Sequence, residues 1–155
     1  RQMCIRDRVY EYSNSSWTQI GSDIDGEAMF DYSGGSVSMN SAGDRVAIGA
    51  MQNDGTGDYA GHVRVYEYSN SSWTQLGSDI DGEAASDGSG RSVSMNSAGD
   101  RVAIGAIWND GTGTQAGHVR VYEYSNSSWT QIGSDIDGEA AQDHSGGSVL
   151  SLIHI

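Results

Sequence analysis

One string occurs three times in this chain and constrains it more than any other feature. Val-Tyr-Glu-Tyr-Ser-Asn-Ser-Ser-Trp-Thr-Gln surrounds Trp17, Trp73 and Trp129, each 56 residues from the next. Between 9–64 and 65–120, 47 of 56 positions are identical, and the nine that differ are 20, 29, 30, 32, 35, 51, 52, 58 and 59. Self-similarity at this period marks a unit that cannot bury its own faces and must stack on its neighbours. The fold question therefore reduces to what one unit builds.

Residues 92–136 show it. Ser92 to Asn96 alternates small polar with apolar residues, which predicts a strand. Ser97-Ala-Gly-Asp100 has turn composition. Arg101 to Ala106 is a second strand, with Val102, Ile104 and Ala106 on one face and Ala103 and Gly105 on the other. Those two small residues admit a neighbouring sheet at close range. A Gly-rich loop, Trp108 to Gly117, leads to His118–Tyr124, a β-branched and aromatic strand. Ser125 to Ser128 turns the chain into a fourth strand, Trp129–Gly133. No segment has helical periodicity.

Four short antiparallel strands in 56 residues, apolar on both faces, predict an all-β chain built as a β-propeller segment of four-stranded antiparallel blades. The expected organisation is about 2.5 blades of an incomplete propeller within 9–149. Residues 9–35 form a partial blade, 36–91 and 92–147 two blades, and 148–149 the start of the next.

The ends break the pattern. Residues 1–8 agree with the repeat only at Arg8, and 150–155 do not agree at all. Met-Cys-Ile-Arg-Asp near the start and Leu-Ser-Leu-Ile-His-Ile at the end translate a DNA string and its reverse complement. That string resembles a transposase adapter used to prepare sequencing libraries. Both tails, 1–8 and 150–155, are expected to be non-native, and Cys4, the single cysteine, goes with them. The segment 9–149 is then a fragment of a larger protein whose signal peptide, if any, is not visible.

Charge narrows the function. All eight basic residues are Arg, against 21 acidic residues, for a net charge of −13. Such a chain repels phosphate backbones and anionic lipid, so no nucleic-acid partner is expected. No run of 18 apolar residues exists, so no membrane insertion is expected from a helix.

The residues resemble a known family. Ser89-Gly-Arg-Ser-Val-Ser, Val102-Ala-Ile-Gly-Ala106, Ala116-Gly-His-Val-Arg-Val-Tyr122 and Trp129-Thr-Gln131 follow the order of the FG-GAP repeat. That repeat builds blades in integrin-alpha-type propellers and in secreted bacterial proteins. The resemblance spans essentially all of 9–149, with Ser-Gly where the family has Phe-Gly, at 33, 89 and 145. It has Gly-Ala-Met and Gly-Ala-Ile in place of Gly-Ala-Pro, at 49 and 105. The resemblance implies a propeller and an extracellular or cell-surface setting.

Antiparallel order puts the short turns on one rim and the long, acidic loops on the other. Asp-Ile-Asp-Gly-Glu recurs at 23, 79 and 135, and Asn-Asp-Gly-Thr-Gly at 53 and 109. Closely spaced carboxylates with Gly for a tight bend suit Ca2+. The candidate metal ligands are therefore Asp23, Asp25, Glu27, Asp79, Asp81, Glu83, Asp54, Asp58 and Asp110. Asx-turn chemistry is the favoured reading, because each loop falls short of six ligands. The family's calcium-binding members carry Asp-x-Asp-x-Asp-Gly-x-x-Asp between strands one and two, and Asn96-Ser-Ala-Gly-Asp100 does not match it. A glycosidase-like carboxylate pair is disfavoured because a catalytic site is usually unique and these acids recur. His62 and His118 open equivalent strands and are read as loop caps. His144 is read as a variable loop residue. Asn14, Asn70 and Asn126 begin N-glycosylation patterns, which matter only in a eukaryotic secretory pathway.

The differences between copies gather on or near the long-loop rim and include Phe30, Tyr32, Tyr59 and Trp108. Exposed aromatics there stack on sugars or anchor a protein partner. Relaxed drift in loops is the competing explanation. The expected function is a non-enzymatic binding or adhesion module for a glycan or protein ligand. The alternatives are an accessory propeller of a secreted carbohydrate-active enzyme and a structural spacer without ligand. Two open ends are also expected to need the remaining blades of the same propeller as partners.

Overall fold

The computed structural model of the chain describes residues 6–150, and what the sequence predicts for Cys4 and for 151–155 lies outside them. Its strands are β1 (Arg6–Asp7), β2 (Tyr10–Ser13), β3 (Ser16–Gln19), β4 (Ile24–Asp25), β5 (Ser33–Met39), β6 (Arg45–Ala50), β7 (His62–Ser69) and β8 (Ser72–Gln75). They continue as β9 (Ile80–Asp81), β10 (Ser89–Met95), β11 (Arg101–Ala106), β12 (His118–Ser125), β13 (Ser128–Gln131) and β14 (Ile136–Asp137). There is no helix among the described residues, so none is long and apolar enough to cross a membrane.

Each full repeat is one antiparallel sheet. β5, β6, β7 and β8 lie in that order, with β9 also on β7; β10 to β14 repeat the arrangement. Because β8 pairs with Tyr66–Ser69 and β9 with His62–Val63, the two form one outer strand broken at Gly77. Composition predicts an acidic loop at Asp-Ile-Asp. Here Ile24 and Ile80 are instead inward-facing strand residues of the apolar core. Alternation explains it, since an apolar residue between two Asp places the carboxylates on the opposite face. The leading segment holds only outer strands: β1 with β4 and β2 with β3, in the registers of β7 with β9 and β7 with β8.

The core lies between sheets. Ala47, Val63, Val65 and Ile80 on one sheet pack against Val93, Met95, Val102, Ile104 and Trp129, contributed by the next repeat. Val9 and Ile24 likewise meet Val46, Ile48 and Trp73. Close approach needs glycine at the centre of the seam: a Cβ on Gly49 would stand 2.2 Å from the Gly90 carbonyl oxygen. The same clash recurs between Gly105 and Gly146. The small face expected from the sequence therefore has its predicted use. Ser36 and Ser92 Oγ each donate 2.7 Å hydrogen bonds to those two carbonyls, tying β5 to β10 and β10 to the segment around Gly146.

The hairpin turns have an equally local cause. Asn70 and Ser71 have φ of 49° and 63°, and both other copies match. Two consecutive left-handed residues make the type I′ geometry whose twist suits a two-residue hairpin, and Asn tolerates it best. Of the seams' two rims, one carries these turns and the Asn40–Asp44 type. The other carries the 51–61 and 107–117 loops together with the connections between sheets.

Candidate binding cleft on the long-loop rim

The long loops are built by Asx chemistry. Asn53 Oδ1 accepts from Gly55 N at 2.8 Å, and Asp54 Oδ1 accepts from Tyr59 N at 2.8 Å. Asn109 and Asp110 do the same for Gly111 and Gln115. Asn53 and Asn109 also donate through Nδ2 to the buried carboxylates Asp31 and Asp87, both at 2.9 Å. Those carboxylates in turn accept from the backbone N–H of Ala28 and Ala84. This Asn–Asp pair, missed in the sequence reading, ties each long loop to the connection preceding its sheet.

The other acidic strings face arginine. Arg64 donates to both oxygens of Asp79 at 2.8 and 2.7 Å and contacts Glu27 at 2.9 Å. Arg120 repeats this with Asp135 and Glu83, and Arg8 holds Asp23 in the same bidentate way. Asp25 pairs with Arg6 at 3.0 Å. Hydrogen bonds from the arginines hold the carboxyls of Asp23, Asp79 and Asp135 below the usual carboxylate range. Buried His62 and His118 stand 3.7 Å from Asp79 and Asp135. Desolvation pushes both imidazoles down, with the neighbouring arginine adding to it.

Glu27, His62 and Asp79, and equally Glu83, His118 and Asp135, gather donor atoms within 4.8 Å of one another. A guanidinium already lies between the carboxylates of each group, supplying the positive charge a metal would bring. Of the other candidate ligands, Asp54 and Asp110 cap their own loops, whereas Asp58 lies in the 51–61 loop and Asp81 on β9.

The aromatic candidates divide between two seams. Tyr59 and Trp108 line one cleft of about 370 Å3, together with Gln52, Ala85, Ser86, Asp110, Thr114 and Gln115. Phe30 and Tyr32 are exposed on the preceding seam. Phe30 holds the repeat position of Ser86.

Trp108 and Tyr32 are linked by substitution. Trp108 covers Gly88, whose Cβ would stand 2.7 Å from the indole ring. In the preceding repeat the equivalents of Trp108 and Gly88 are Gln52 and Tyr32. In these two copies one aromatic residue stands at one or the other of the two positions. Position 32 and its copies at 88 and 144 have φ of 55°, 64° and 52°, whatever residue stands there. The left-handed backbone belongs to the loop, and only one copy uses the glycine that suits it best.

No family model matches the chain, and no curated protein is significantly similar to it.

Proposed function

We propose that this chain is a binding module, a β-propeller segment of FG-GAP type from an extracellular or cell-surface protein. Its ligand site is the cleft between Tyr59 and Trp108. One observation carries the reading. Seven of the eight residues lining the cleft occupy positions that differ between the copies, Asp110 being the exception. Only nine of 56 positions differ at all. Loop drift would have touched both rims, yet the Asn40–Asp44 and Ser69–Ser72 turns are identical to their copies. Five of the nine differing positions (29, 30, 52, 58 and 59, or their copies) line this one concave surface, and concentrating variation there is how a repeat protein varies what it binds.

The cleft's chemistry favours a glycan. Its volume suits one or two sugar rings, within the usual range for ligand pockets. The two aromatic rings offer apolar faces for sugar C–H groups. Gln52, Ser86, Asp110, Thr114 and Gln115 offer hydrogen-bonding groups for hydroxyls. A glycan array with the 155-residue chain tests this, followed by titration of the strongest hit. Tyr59→Ala is expected to weaken binding at least tenfold while leaving the melting temperature within a few degrees, because Tyr59 is exposed. Failure to bind any glycan, with a protein retained on a pull-down and lost in Tyr59→Ala, would assign the cleft to a protein ligand. Binding indifferent to Tyr59 and Trp108 would remove the cleft from the proposal.

A further inference from the structure

The residues lining the cleft between Tyr59 and Trp108 carry one kind of charge. Asp110 is a carboxylate, and Gln52, Ala85, Ser86, Thr114 and Gln115 are uncharged. No cation is among them. The chain has no lysine, and every described arginine except Arg91 is held by a carboxylate at 3.0 Å or less. Neither Arg91 nor any histidine lines the cleft.

The charge on Asp110 is more than its loop needs. Asp110 Oδ1 accepts from Gln115 N at 2.7 Å. An amide oxygen can cap a loop N–H in the same way, as Asn109 Oδ1 does for Gly111 N at 2.9 Å. Asp110 Oδ2 has no hydrogen bond or ion pair among the described residues. The cap therefore fixes the side chain and leaves one oxygen with its negative charge free. Asp54 stands at the same repeat position, so the charge is kept while the residues around it change.

A site of this composition discriminates by charge. The faces of Trp and Tyr rings are negative and attract a cation laid against them. A carboxylate adds a charge-assisted hydrogen bond to an N–H donor. An anionic sugar meets the opposite, a second carboxylate beside Asp110 with no counter-charge in the cleft, on a chain of net charge −13. A neutral sugar gains only stacking and hydroxyl contacts.

We infer that the cleft takes a basic glycan, an amino sugar whose amino group is unacylated, with the ammonium paired to Asp110 Oδ2 and laid against the Tyr59 or Trp108 ring. The inference rests on the glycan reading above and narrows it to one chemical class. The acidic chain draws such a ligand in from a distance, and the groups of the cleft then hold it.

Isothermal titration calorimetry of the full chain with two probes tests this: a tetramer of glucosamine and the same tetramer fully N-acetylated. Acetylation removes the charge and leaves the sugar ring faces. The amine tetramer is expected to bind about tenfold tighter or more. That advantage is expected to shrink as NaCl is raised to about 0.5 M. Asp110→Asn keeps an oxygen for Gln115 N and removes the charge. It is expected to bring the amine tetramer down to the affinity of the acetylated one without lowering the melting temperature. Glu11→Gln removes the same charge from the exposed strand β2, outside the cleft, and is expected to change neither affinity. Trp108→Leu keeps an apolar side chain beside Gly88 but removes the ring face, and is expected to weaken the amine tetramer independently of Asp110. Equal binding of the two tetramers overturns the inference and leaves the glycan reading standing. So do equal losses in Asp110→Asn and Glu11→Gln, and so does an array that binds other glycans while neither tetramer binds. An array with no bound glycan at all overturns the glycan reading and this inference together.

Discussion

Asp7 stands where the repeat has Val63. Both pair with the isoleucine of the outer strand, Asp7 with Ile24 and Val63 with Ile80, and Val63 is fully buried. Asp7 therefore carries a carboxylate into an apolar seam, where its Oδ2 is buried without a hydrogen-bond partner among the described residues. Burial pushes its carboxyl above the ordinary 3.8. Between those two values the folded state binds more protons, so stability falls as pH rises through that window, and the deficit persists at neutral pH. Asp7→Val is expected to raise unfolding free energy by about 1–2 kcal/mol, measured by urea denaturation at pH 7. The histidines act with the opposite sign. With folded values below the ordinary 6.5, His62 and His118 make the unfolded state the better proton binder. Stability is therefore complete above pH 6.5 and declines as pH falls below it. The lowered Asp79 and Asp135 add a second decline below about pH 4. Thermal melts from pH 4 to 8 should show the first decline, and His62→Gln with His118→Gln should flatten it. None of this was legible from residue type. The histidines' position at the start of equivalent strands predicts loop caps, and their burial depends on which strand comes to lie against them.

At the scale of the element, identical strings have different energetic worth. Tyr68 and Trp73 are packed against Val9, Ile20 and Ile24, whereas the same pair at Tyr12 and Trp17 faces outward. Trp73→Ala is expected to cost about 3–5 kcal/mol, and Trp17→Ala under about 0.5 kcal/mol in the monomer, as read by denaturant unfolding at low concentration. Equal losses would mean that Trp73 is not seated in the seam. The four main strands were legible because alternation and turn composition agree along the repeat. The broken outer strand was not, since Asp-Ile-Asp is too short for periodicity and too acidic to suggest burial. Arg64 and Arg120 escaped notice for a related reason. Their partners lie 15 residues along the chain and, for the glutamates, on the preceding connection.

Across the whole molecule the excess of negative charge sets the response to ions. Self-repulsion at −13 is relieved by screening, so the melting temperature is expected to rise with NaCl. Calcium separates screening from site binding. The loop oxygens of Asn53, Asp54, Asn109 and Asp110 accept internal N–H groups, and Asp79 and Asp135 face arginine. CaCl2 at matched ionic strength is therefore expected to shift the melt no more than NaCl does, within about 1–2 °C. A clear excess at millimolar Ca2+ would place a folded-state site among these loops. Val37, Met39 and Ile136 are exposed although Val93, Met95 and Ile80 at the same repeat positions are buried.

The amino-acid sequence by itself determined the repeat, the antiparallel strands within it and which rim carries the variable loops. Each of these depends on patterns within a few tens of residues. It also marked Tyr59 and Trp108 as candidates, because differences between near-identical copies are visible without a structure. Only the tertiary structure decided that these two rings share a cleft and that Phe30 and Tyr32 belong to another seam. It alone decided that Trp17 is exposed while the hairpin tryptophans Trp73 and Trp129 are buried. The physical reason is that burial in a stack is a property of neighbours. Identical strings have identical local conformations, but what covers them depends on the sheet packed against each face.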